Sequence, residues 1–120
     1  MARKYRGTEF SGWSIMWVFC MFDLPVRTRK EVRRATGFRN LLLDNGFCMK
    51  QFSVYMRSCP NLQASKNLTK KLKKNIPPAG SVVFLYITDK QYLMADSFLG
   101  KTEQENEEEN RRKNGQLVLF

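Results

Sequence analysis

An α+β sandwich is the fold class that the sequence predicts, on three observations. Two short apolar runs, SIMWVFCMF (residues 14–22) and SVVFLYIT (residues 81–88), read as buried strands. Between them lie two stretches with apolar residues at helical spacing and stop or start signals at their ends. A further strand-like stretch, FCMKQFSVYMR (residues 47–57), separates those helices. Strand, helix, one or two strands, helix, strand is the split order of a ferredoxin-like βαββαβ fold, whose helices cover one face of the sheet.

The first strand is apolar on both faces, too short for a helix, and bounded by Gly12 and Pro25, which marks a doubly buried central strand. Thr28 followed three residues later by Glu31 has capping-box spacing. Val32, Ala35, Phe38, Leu41 and Leu42 then recur at three and four, so the helix runs to Asn45-Gly46. Gly37 inside it costs about 1 kcal/mol relative to alanine, and the sequence supplies no reason for it. In residues 47–57, Phe52, Val54 and Met56 alternate against Ser53, Tyr55 and Arg57, either as one bent strand or as a tight hairpin about Lys50-Gln51. Asn61 caps a second helix with Ala64, Leu68 and Leu72 four apart, and Pro77-Pro78 and Gly80 stop it.

After the strand over residues 81–88, Asp89-Lys90-Gln91 turns into a shorter apolar segment to Leu99. An acidic run, EQENEEEN, and a terminal strand-like QLVLF follow. The chain thus divides into an N-terminal extension (1–13), a ferredoxin-like domain (14–100), and an acidic linker with a C-terminal strand (101–120). The face of the sheet that the helices leave open is apolar in its central strands and needs a cover. The simplest cover is a second copy packed isologously, with Leu117, Val118, Leu119 and Phe120 adding an edge strand to the partner.

Composition narrows the chemistry. With 42% hydrophobic and 27% charged residues the chain reads as globular, and no apolar run approaches the roughly 18 residues of a membrane span. Cys20, Cys48 and Cys59 are odd in number and lack C-x-x-C spacing, which points to free thiols in a reducing cytoplasm. The chain has 0 histidines, which excludes nucleophile-histidine catalysis and imidazole acid-base chemistry and leaves carboxylates, metal and water. The formal charge is +10, and residues 1–80 hold 16 Lys+Arg against 4 Asp+Glu, a net of +12. Such a basic body is the footprint of a polyanion, since neutralised phosphates release counterions.

Two groups of residues carry that reading. Asp23, the acid that ends the first strand ahead of Leu24-Pro25, stands where a site can open above the sheet. One aspartate cannot hold Mg²⁺ alone, but a two-fold axis that pairs it with its copy would suffice for metal-dependent phosphodiester cleavage. Arg27, Arg29, Lys30, Arg33 and Arg34 crowd the loop after Asp23 and the start of the first helix, offset by Glu31 alone. On the second helix Lys66, Lys70, Lys73 and Lys74 form a second ridge. Neither ridge brings base-stacking aromatics or a recognition helix, so contacts go to phosphates with little sequence preference. Gln51, Ser53 and Tyr55, with Arg57, share one side if their segment is extended.

The stretches MFDLP, RNLLLDNGF, QFSVYMR and GSVVFLYITDKQY, in this order and spacing, resemble the small CRISPR-associated endoribonuclease family usually called Cas-two. The likeness covers residues 14–100, and QLVLF looks like that family's tail strand. The resemblance implies a ferredoxin-like homodimer that bridges dimers of the CRISPR integrase, Cas-one, and holds double-stranded DNA destined to become a spacer. It also implies that paired Asp23 carboxylates lie at the dimer axis with Gln51, Ser53 and Tyr55 close to them or to the DNA, and that single-stranded RNA is a further candidate substrate. The rival readings are a stand-alone, toxin-like metal-dependent ribonuclease and an RNA-binding module on the same fold.

Overall fold

The computed structural model describes residues 15–100 together with Thr102 and Glu105. In chain order the elements are β1 (Met16–Asp23), α1 (Arg29–Asp44), β2 (Cys48–Gln51), β3 (Val54–Cys59), α2 (Leu62–Lys73), β4 (Ser81–Thr88) and α3 (Asp89–Leu93). The sheet order is β2-β3-β1-β4, antiparallel throughout. This is the ferredoxin-like α+β arrangement, with β1 central. The N-terminal extension and the tail residues Leu117, Val118, Leu119 and Phe120 lie outside the described residues.

Local chemistry sets the helix ends. Thr28 Oγ1 accepts from the Glu31 backbone N–H at 3.1 Å, and Glu31 Oε1 accepts from the Thr28 N–H at 3.0 Å, closing the capping box of α1. The last turn of α1 contains no basic residue of its own. Its carbonyl end is instead served from β3: an Arg57 Nη1–H donates to the Asn45 carbonyl at 2.6 Å. Gly46, at φ 85°, then turns the chain toward β2. Asn61 Oδ1 accepts from the Ala64 N–H at 2.7 Å and starts α2.

The β2–β3 segment is a hairpin, and its turn is Phe52-Ser53 rather than Lys50-Gln51. Ser53 adopts φ 65°, and the register skips Lys50 between Met49 and Gln51, a bulge that moves the reversal one residue along. The short α3 replaces the expected turn, since Thr88 and Gln91 form a second capping box.

Alternation along β1 divides the two faces. Met16, Val18, Cys20 and Phe22 are buried under the helices, whereas Trp17, Phe19, Met21 and Asp23 point to the other side. Ala35, Phe38 and Leu42 of α1, Leu72 of α2, and Phe47, Tyr55 and Cys59 complete the helix-side core. Phe22 stands edge-on to Phe38, with ring centroids 5.4 Å apart, and stacks on Tyr55 at 5.7 Å. Each buried Leu or Phe contributes about 1.5–3 kcal/mol, so this layer defines the fold.

Candidate functional site

The open face of the sheet is built by the odd residues of β1 and their cross-strand partners. Met21 faces Val83, Phe19 faces Leu85, Trp17 faces Ile87 and Asp23 faces Ser81, while Met56 and Val54 flank from β3. Val83 is 48% exposed and Leu85 45% exposed, so the middle of this apolar face lies bare in the single chain. α3 roofs one end of it. There Tyr92 lies 4.9 Å from the Trp17 ring and 5.7 Å from Phe19, and its hydroxyl donates to Met56 Sδ at 3.6 Å.

Each end of the face carries a carboxylate, and the two differ in use. Asp89 accepts the Trp17 indole N–H at 2.7 Å and fixes α3 to the sheet. Asp23, at the opposite end, is exposed, and among the described residues no side chain donates to its carboxylate. Its surroundings are constructed from backbone. The Phe22 N–H donates to the Ser53 carbonyl at 3.0 Å, bringing the Gln51–Ser53 turn beside the strand end. On the other flank Gly80, at φ 97°, comes so close that a Cβ there would stand 2.5 Å from the Asp23 carbonyl oxygen and 2.9 Å from Leu24 Cδ2. Only glycine meets both demands. Gly80→Ala is expected to cost about 2 kcal/mol in urea unfolding and to displace Asp23, lowering any activity that depends on it.

The structure separates the four polar residues of the hairpin. Gln51 and Ser53 lie at the turn next to Asp23, with Gln51 paired to Val54 on the open side. Tyr55 and Arg57 stand opposite Cys20 and Val18, on the helix side. Tyr55 is 0% exposed and belongs to the core, so it is no polar neighbour of Asp23. Burial raises its pKa, and the nearby Arg39 guanidinium opposes that rise without a well-formed hydrogen bond to the hydroxyl. Arg57 directs one guanidinium N–H to the α1 terminus and lies on the helix side, away from Asp23. The turn between Gln51 and Val54 breaks the parity that an extended segment would have kept.

The cationic residues hold their expected places on the helices. Arg27, Arg29, Lys30, Arg33 and Arg34 are all exposed, as are Lys66, Lys70, Lys73 and Lys74. Glu31, the nearest acid, has its Oε1 occupied by the backbone N–H groups of Arg27 and Thr28, each at 3.0 Å. Lys66 Nζ sits 4.1 Å from the centroid of the Tyr86 ring, and Tyr86 in turn hydrogen-bonds Thr69 at 2.7 Å. The residue the sequence reading omitted from this ridge is Lys71, whose Nζ donates to Asn45 Oδ1 at 3.4 Å.

Thiol chemistry finds no support at the central Cys20. Cys20 is buried and its pKa is pushed up to about 12 by desolvation, which keeps it protonated and inert. Among the described residues no three His, Cys, Asp or Glu side chains converge as a metal cluster, so a single chain offers Asp23 alone at the strand end.

The family model for "CRISPR associated protein Cas2" matches residues 16–95, the span from the first strand to just past α3. The chain belongs to the Cas2 family. It is 47% identical over 94 residues to the CRISPR-associated endoribonuclease Cas2 of Paracidovorax avenae, covering 78% of this chain and 87% of that one. The protein of the same name from Flavobacterium psychrophilum is 38% identical over 113 residues, covering 94% of this chain and 95% of the relative. That from Treponema denticola is 40% identical over 90 residues, covering 75% and 89%. The Cas2 match thus spans both the apolar sheet face and the cationic helices. Among the described residues no helix is long and apolar enough to cross a membrane.

Proposed function

We propose that this Cas2-family chain works as a homodimer that grips the backbone of duplex DNA and presents it to the CRISPR integrase for insertion as a spacer. One observation carries the reading: a bare apolar sheet face ends in an Asp23 whose carboxylate has no side-chain donor among the described residues, while the helices carry exposed cations from Arg27 to Arg34 and from Lys66 to Lys74. Burying Val83, Leu85 and their neighbours against a second copy hides that face and brings two Asp23 carboxylates toward one axis. The helices stay outside, where Arg27 to Arg34 and the α2 lysines remain available to phosphates.

Asp23 fits Mg²⁺ in donor type, a hard and exposed carboxylate oxygen, and fits it in number only when a second copy supplies the other. Bound there, Mg²⁺ would neutralise charge that develops on a phosphodiester and favour its hydrolysis. The chain's own contribution is to hold Asp23 at a rigid strand end, between Gly80 and the Ser53 carbonyl, and to draw the polyanion in with Arg27 and Arg29. The endoribonuclease names of the relatives favour RNA as one substrate of such a centre, and a stand-alone ribonuclease is the second reading.

The binding half of this reading is tested by replacing Arg27, Arg29 and Arg33 together with alanine. Duplex affinity measured over a salt series is expected to fall, and the slope of log K against log salt to become shallower by about 2–3. A slope equal to that of the native protein would remove these residues from the interface.

A further inference from the structure

Gly37 is exposed in the middle of α1, and a Cβ built on it meets nothing within 4 Å. Its φ lies outside the left-handed region and no neighbour presses on it, so the fold itself would be better served by alanine. Helical spacing places it on one stripe with Lys30, Arg33 and Arg34. Beside it runs an open groove of about 430 Å³ between α1 and the loop after α2, lined by Arg34, Gly37, Phe38, Ile76 and Pro77 among others. A smaller cleft that shares Arg34 and Pro77 continues from there to Leu24 and Pro25, next to Asp23. Lys73 and Lys74, both exposed, immediately precede Asn75 on the far wall.

The groove therefore has cations on both rims, apolar walls and a floor cleared of side chain at one point. A phosphodiester strand has the matching chemistry: anionic oxygens for the rims, and apolar sugar faces for Leu41, Ile76 and Pro77. We propose that this groove is the track for one backbone strand of a bound duplex, joining the α1 and α2 ridges, and that Gly37 is where the strand passes closest to the helix. The assignment rests on the duplex-binding reading above and adds to it the path and the residue that sets the closeness of approach. An acidic protein segment would need the same rims but not the cleared floor.

The test uses the full chain with Gly37→Ala and Gly37→Leu, read by thermal unfolding and by duplex binding over a salt series. Both variants are expected to unfold at or above the native Tm. Gly37→Leu should bind duplex about tenfold more weakly through steric crowding, with Gly37→Ala in between, and the salt slope should not change because no phosphate partner is lost. Native affinity in both variants overturns the assignment, as does a Gly37→Leu protein that binds duplex normally but no longer co-purifies with the integrase. Should the native protein show no salt-dependent duplex binding, the underlying reading falls and the groove assignment falls with it.

Discussion

Asp23→Ala is expected to slow Mg²⁺-dependent phosphodiester cleavage by about 10²–10³-fold, the loss that follows removal of one preorganised charge-stabilising group. Two of the other described acids are already engaged. Asp89 accepts from the Trp17 indole, and Glu31 accepts from the backbone N–H groups of Arg27 and Thr28. Because Asp23 is exposed and outside the core, the variant should keep its fold, its solution mass and its duplex affinity. The measurement is cleavage of single-stranded RNA and of duplex DNA by dimeric protein with Mg²⁺ present. Equal rates for the two proteins would leave Asp23 as a plain strand-end acid.

Leu85→Asp is expected to give a folded protein that is monomeric at micromolar concentration. The side chain lies on β4 opposite Phe19, 45% exposed in the single chain, so the isolated subunit tolerates the carboxylate. Packed against a second copy, the same group would be buried unpaired, twice per dimer. The lost leucine contact alone is worth about 1.5–3 kcal/mol per copy, and the uncompensated charge adds several more, so the dimer constant should weaken by at least about 10³-fold. Mass in solution and far-ultraviolet dichroism together check it. A native mass with native dichroism would show that this face is not the one two copies share.

The fold was legible because its boundaries are chemical. Thr28-x-x-Glu31 and Asn45-Gly46 start and stop α1 and Asn61 starts α2 where the sequence places them, β4 occupies residues 81–88 as read, and α2 ends at Lys73, ahead of the Pro77-Pro78 stop. Asp23 was legible as a site because a carboxylate closes an otherwise apolar strand. What failed was the sidedness of β3. Both faces of this sheet are apolar, so alternation shows that Val54 and Met56 oppose Tyr55 and Arg57 but not which pair meets the helices. The hairpin turn contains neither glycine, proline nor asparagine, and Ser53 takes the positive φ without announcing it. The start of α3 lies in the T-x-x-Q spacing of Thr88 and Gln91, a capping box in place of a plain turn. Gly80 owes its identity to a contact with Asp23, 57 positions away in sequence, which no local pattern contains.

Tyr92 has a consequence for geometry. By covering the Trp17 and Phe19 rings at one end of the sheet, it leaves the bare part of the face, with Val83 and Leu85, displaced toward the Asp23 end. A patch that mates with itself must be centred on its symmetry element, so an off-centre patch shifts that element away from the mid-strand. In a dimer built through this face the small helix would act as a spacer: it would fix the offset of the twin, and that offset would decide whether two acids end up adjacent or at opposite ends of the seam.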